Sequence, residues 1–294
     1  MKPVRALLPV YLLASVLSGA AALLNQVLWS RMLSLVFGST VEAVATVTAI
    51  FMGGLAAGGL LGPRLLEGRT RPGAARFYVR LEILIAISAI VLAFLLPLLE
   101  TLRAAAGLAI AWPVAVLLLL APASVMGMTL VAQAFVVSEA EERGRGSRES
   151  GLLFAANTFG AMAGVYASVL LLMPALGVRR TIFVAAGLNV AAALLGALVT
   201  RTLEAEPGEA AESRNETARK DAKRSRRDTA ATSSDEPESR LPAASPLASS
   251  LVLTALFVAG FAGLANEVAW TRAFILVAGP TVHAFAFVLG AIVF

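Results

Sequence analysis

Few side chains in this 294-residue sequence are able to do chemistry, and their types narrow what that chemistry is. There is no cysteine, which excludes disulfides, thiolate metal sites and cysteine nucleophiles. The only histidine, His283, has no second histidine or cysteine to share a metal with, so neither metal nor cofactor is expected. What remains is a small set of amides and one carboxylate in apolar surroundings: Asn25, Gln26, Asn157, Asn266 and Glu267. Such groups are costly in hydrocarbon and normally face protein or water. They are candidates for a polar cavity or a cation- or proton-binding site, with helix capping or interfacial solvation as the alternative use. Asn157 is the preferred cavity residue because Gly160 and Gly164 follow it, and Thr158 and Gln133 add polar positions. Trp29 with Arg31, and Trp270 with Arg272, have the two-residue spacing of an interfacial anchor, indole and guanidinium at the headgroups.

The elements that must position these residues are apolar blocks. The chain is 58% hydrophobic and 15% charged, with a mean hydropathy of +0.81, a membrane composition. Uninterrupted apolar stretches of the length needed to cross about 30 Å of hydrocarbon run over 6–28, 41–61, 81–99, 108–137, 151–176 and 182–199. The fourth contains Pro113 and Pro122 but is too short for two spans and a turn, so one kinked or tilted helix is expected. From 201 to 246 the sequence changes to Glu, Arg, Lys, Ser, Thr and Ala, a disordered linker by composition. A seventh span follows at 247–268, and an eighth begins at 282 and is cut by the end of the chain. The domain reading is therefore a six-span bundle over 1–200, a linker over 201–246, and the truncated start of a second membrane repeat over 247–294. The fold class is all-α, with about eight spans.

Charge placement orients this arrangement. Of the 24 Lys and Arg residues, 19 fall at the N-terminus, in the second and fourth loops and in the linker. The positive-inside rule then makes the N-terminus and linker cytoplasmic in an inner (cell) membrane. The same distribution accounts for a pI near 10.2 without nucleic acid, which is not expected as a partner; the lipid bilayer is. The sequon Asn215-Glu216-Thr217 lies on the cytoplasmic side in this reading and is expected to be inert.

The chain also repeats itself. Shifted by 241 positions without a gap, residues 18–47 align with 259–288 at 15 identities in 30. The identities include Gly19/Gly260, Asn25/Asn266, Trp29/Trp270, Arg31/Arg272 and Gly38/Gly279, several of them uncommon in apolar helices. The second copy is internal, so the first is read as a retained span despite its signal-like Lys2, Arg5 and small residues 19–22. An even number of spans between the copies makes the repeat parallel, as between the halves of major facilitator transporters.

Four segments carry a family likeness. They are Ser18-Gly19-Ala20-Ala21-Ala22 leading to Val27-Leu28-Trp29-Ser30-Arg31; Phe51-Met52-Gly53-Gly54-Leu55-Ala56-Ala57-Gly58; Pro122-Ala123-Ser124-Val125-Met126-Gly127-Met128-Thr129-Leu130; and Ala156-Asn157-Thr158-Phe159-Gly160-Ala161-Met162-Ala163-Gly164 with Pro174-Ala175-Leu176-Gly177. Through them the sequence resembles the membrane-embedded part of the fused major facilitator/spermidine synthase family. The resemblance implies a helical module that, in longer relatives, precedes an aminopropyltransferase-like domain making spermidine from a diamine and decarboxylated S-adenosylmethionine. It also implies a Glu where this chain has Gln26. No glycine-rich strand-to-helix turn with a downstream acid occurs in the polar segments, so no catalytic residue is assigned, and the catalytic domain is expected to lie outside this chain. The expected function is that of a membrane module of a spermidine synthase-like protein. The alternative is a major-facilitator-type transporter of small solutes, polyamine or other small cations among them, without enzymatic activity.

Overall fold

A computed structural model of the chain describes residues 2–38, 40–137 and 143–205, with nine positions between 254 and 288. Among the described residues every element is helical: α1 (Lys2–Phe37), α2 (Thr40–Leu66), α3 (Arg71–Ala106), α4 (Leu108–Val137), α5 (Arg143–Ala167), a π-helical segment (Ser168–Leu172) and α6 (Met173–Ala205). Five helical stretches are long and apolar enough to cross a membrane, the last running over Arg148–Ala205. Linker residues 206–246 and most of 247–294, with the seventh and eighth spans, lie outside the described residues.

Glycine sets the breaks. Gly38, Gly68 and Gly107 each stand between consecutive helices at positive φ, a conformation that costs a side-chain-bearing residue about 1–3 kcal/mol. Gly177 has φ 75° and ψ 168°, close to the φ 80° and ψ 172° of Gly107 where α3 gives way to α4, and it interrupts α6 near its start. On the entry side of α3, the Thr70 hydroxyl accepts a hydrogen bond from the Gly73 N–H at 3.3 Å and Pro72 occupies the first turn. The fourth helix has the bounds expected from its hydropathy, and Pro113 and Pro122 lie inside it without dividing it.

Contacts fix the directions. Gly54, Gly58 and Gly62 of α2 face Ala123, Ser124, Gly127 and Val131 of α4 in order, so these helices are parallel. Gly160 and Gly164 of α5 lie on the backbone of Val16 and Ala20 of α1, a second close parallel pair. No Cβ fits at Gly54, Gly58, Gly160 or Gly164 without moving a neighbour's backbone or side chain, whereas Gly53 and Gly59 face open space. Such small-residue seams let membrane helices approach without a hydrophobic driving force between them. Leu24 and Leu28 of α1 pack with Ala89 and Ala93 of α3 and with Ile182 and Ala185 of α6, while Gly196 lies on the Tyr78 ring. Thus α1 and α3 are parallel and α6 runs against α3.

The surface carries many exposed leucines, and the mainly apolar interior holds a set of polar side chains. Leu60, Leu98, Leu117, Leu171 and Leu194 are exposed, while Ser15, Ser18, Asn25, Gln26, Glu82, Gln133 and Asn189 are buried. This inverts the soluble pattern and suits a bundle whose solvent is lipid. The described residues up to Thr200 form one compact unit.

Candidate functional site: a polar seam with a buried carboxyl

The seam begins as a sequence pattern on α1. Tyr11, Ser15, Ser18, Asn25 and Trp29 are spaced by four, three, seven and four residues, which keeps them on one helical stripe. All five are buried. An apolar helix in lipid gains little by choosing which leucines face inward, so its polar side chains decide the inward face.

Toward the start of α1 the stripe meets α3 and α4. The Ser18 hydroxyl donates to Glu82 Oε1 at 2.6 Å, and the Ser15 hydroxyl donates to Gln133 Oε1 at 2.5 Å. The Tyr11 and Tyr78 rings meet edge-on, centroids 5.9 Å apart at 73°. Tyr78 is one turn before Glu82 on α3, so both share a face. Glu82 is 0% exposed and is the only charged residue type among the buried described residues. Its Oε2, the Tyr11 and Tyr78 hydroxyls and Gln133 Nε2 find no hydrogen-bond partner among the described residues. Each such buried orphan costs about 1–3 kcal/mol, so four in one neighbourhood call for a functional explanation.

Farther along α1 lies a second polar group. Gln26 Nε2 donates to Thr48 Oγ1 of α2 at 3.3 Å, and the Ser30 hydroxyl donates to the Gln26 carbonyl at 2.9 Å. Both side-chain polar atoms of Asn25 and the Trp29 indole N–H are buried without partners among the described residues. Trp29 packs edge-on against Phe51, centroids 6.4 Å apart, while Arg31 is exposed two residues on.

The structure therefore brings Asn25 and Gln26 into the interior beside Trp29. Asn157 is half-buried on α5, and its backbone carbonyl lies against Gly19 of α1. Asn266 and Trp270 are exposed. Glu267, Arg272 and His283 lie outside the described residues, as does the side chain of Glu42. Gln133, a polar position expected from sequence, joins the seam through Ser15.

Glu82, Ser15, Ser18, Tyr11 and Tyr78 were not singled out by sequence reasoning. The apolar run places the third span at 81–99, with Glu82 at its very start and given no role. The helix starts at Arg71 instead, so Glu82 is eleven residues inside it, about 16 Å along the axis. The available signal was the three- and four-residue spacing of hydroxyls and amides on α1.

Chemically, the seam offers hydroxyls, amides and one carboxyl, suited to holding a proton or cation rather than to covalent catalysis. No group of His, Cys, Asp and Glu able to hold a metal ion occurs among the described residues. A separate open groove of about 500 Å³ lies between α2 and α4 and reaches Ser150 of α5, with Arg64 and Glu67 at its rim and Val131 and Phe135 along its wall. Compared with family models, with curated proteins and with solved structures, the chain matches none of them.

Proposed function

We propose that this chain is a membrane-embedded transport module of the major facilitator type that handles small cationic solutes. In this reading it is the kind of module that accompanies an aminopropyltransferase-like domain in fused major facilitator/spermidine synthase proteins. The observation that carries the transport reading is Glu82, a carboxyl buried with Ser18 and Tyr78 beside it inside a bundle with many exposed leucines. Ionisable groups inside membrane bundles are costly and mark substrate or ion pathways.

The link to the fused family is supported by what its motif segments do. Gly54 and Gly58 of the second lie against Ala123, Ser124 and Gly127 of the third, and Gly160 and Gly164 of the fourth lie against α1 beside the first. The quoted motifs thus coincide with the closest helix contacts.

Six crossings before the linker are favoured by Gly177. The stretch Arg148–Ala205 contains 58 residues, about 87 Å as one helix and nearly three times a hydrocarbon core. Divided at Gly177 it supplies two crossings, which returns the linker to the side of Arg64, Arg69, Arg71 and Arg148. That side is cytoplasmic in an inner membrane by the positive-inside rule.

Flux tests the proposal. The purified chain in proteoliposomes is expected to accumulate labelled diamines or polyamines under an inside-negative potential, above protein-free vesicles. Equal uptake with and without protein for every mono-, di- and polyamine tried would overturn it.

A further inference from the structure

Glu82 has one oxygen engaged and one free. Oε1 accepts the Ser18 hydroxyl hydrogen bond at 2.6 Å, and Oε2 has no partner among the described residues. Ser18 from α1 and Tyr78 from its own helix lie against it, and Tyr78 in turn meets Tyr11 of α1, Gln133 of α4 and Gly196 of α6. The two tyrosines are the titratable groups in that set, and none of its members is cationic. Arg76 and Arg80 on α3 are exposed. A carboxylate buried among hydroxyls with no counter-charge is unfavourable, whereas a carboxylic acid in the same place needs only an acceptor for one O–H, which the neighbouring Tyr78 hydroxyl offers.

The surroundings also provide a way in. Because α1 and α3 are parallel, the Tyr11–Tyr78 pair lies on the side of Glu82 toward the start of both helices. That is the end bearing Arg71 and Arg76 and the shorter route to water. The pair is held by ring contact, with the Tyr78 hydroxyl beside Glu82 and Gln133.

We propose that Glu82 is a proton-exchange site: the carboxyl carries its proton on Oε2 while α1, α3 and α4 close over it, and exchanges that proton with water at the arginine-rich end when Tyr11 and Tyr78 part. The step forms or breaks one O–H bond, with water as proton donor and acceptor. This deepens the transport reading, resting on it for what the proton drives but not for whether the proton binds.

The test is spectroscopic, on the full chain in lipid nanodiscs. Infrared difference spectra between acidic and alkaline buffer are expected to show a protonated-carboxyl C=O band that E82Q removes and that the exposed-site control E100Q retains. Gln keeps an acceptor for Ser18, and a second variant guards against misfolding: S18A is expected to move the same band to higher frequency by removing its hydrogen bond. Y11F with Y78F is expected to leave the band in place. A band that survives E82Q, or that S18A leaves unmoved, would overturn the assignment, as would the lack of any pH-dependent carboxyl band in the folded wild-type chain. A titrating Glu82 band without amine flux would remove the transport reading and leave the site; flux without the band would do the reverse.

Discussion

Ser18 and Glu82 show how much a single hydroxyl carries when the surroundings are dry. Replacing Ser18 with Ala removes the 2.6 Å hydrogen bond to the buried carboxyl, so S18A is expected to lower unfolding stability by about 1–3 kcal/mol, measured by denaturant or thermal unfolding in a fixed lipid or detergent. Trp29 provides the contrasting case. Its indole N–H is buried without a partner among the described residues, so W29F removes an orphan donor while keeping an aromatic ring against Phe51. W29F is expected to be near neutral, within about 1 kcal/mol, because the lost ring volume offsets the relieved donor. A loss as large as that of S18A would mean that the indole N–H has a partner.

At the scale of the element, α2 and α5 are specified by where their glycines fall rather than by how many they hold. Gly58 faces Ser124 and Gly127, and Gly160 faces the backbone of Val16, while Gly53 and Gly59 face open space. G58A and G160A are expected to destabilise by about 1–3 kcal/mol through forced separation of the helix pairs. G53A and G59A should stay within about 0.5 kcal/mol or stabilise slightly, since Ala is the better helix former. Ranking all four by melting temperature checks the packing geometry directly, and equal effects would contradict it. Gly177 belongs to a different class, because its cost is conformational: G177A forces a side chain into positive φ and is expected to cost about 1–3 kcal/mol although nothing crowds the position.

For the whole molecule, the absence of cysteine gives a ready background for single-cysteine accessibility. With six crossings, cysteines at Glu67, Arg148 and Arg201 are expected to react with a membrane-impermeant thiol reagent only from the cytoplasmic side. Cysteines at Arg103 and Arg179 are expected to react only from outside. If Arg148–Ala205 crossed once, positions 148 and 201 would label from opposite sides, a result that would rule out the division at Gly177.

The sequence by itself determined the helical class, the apolar stretches and their order. Those depend on local composition and on length against a fixed hydrocarbon thickness, both visible along a single chain. It is why α4 carries the bounds its hydropathy implies, and why Asn25 and Gln26 stood out. Hydropathy fails where a helix outlasts its apolar run, as α3 does by ten residues before Leu81, and so Glu82 stood at the edge of its span rather than well inside a helix. Tertiary structure alone decided that Glu82 faces Ser18, that Trp29 lies in the interior against Phe51, and which glycines are contacts. Each of these depends on a partner 22 to more than 100 residues away, and in a helix that is apolar all round no sequence periodicity announces which face will meet it.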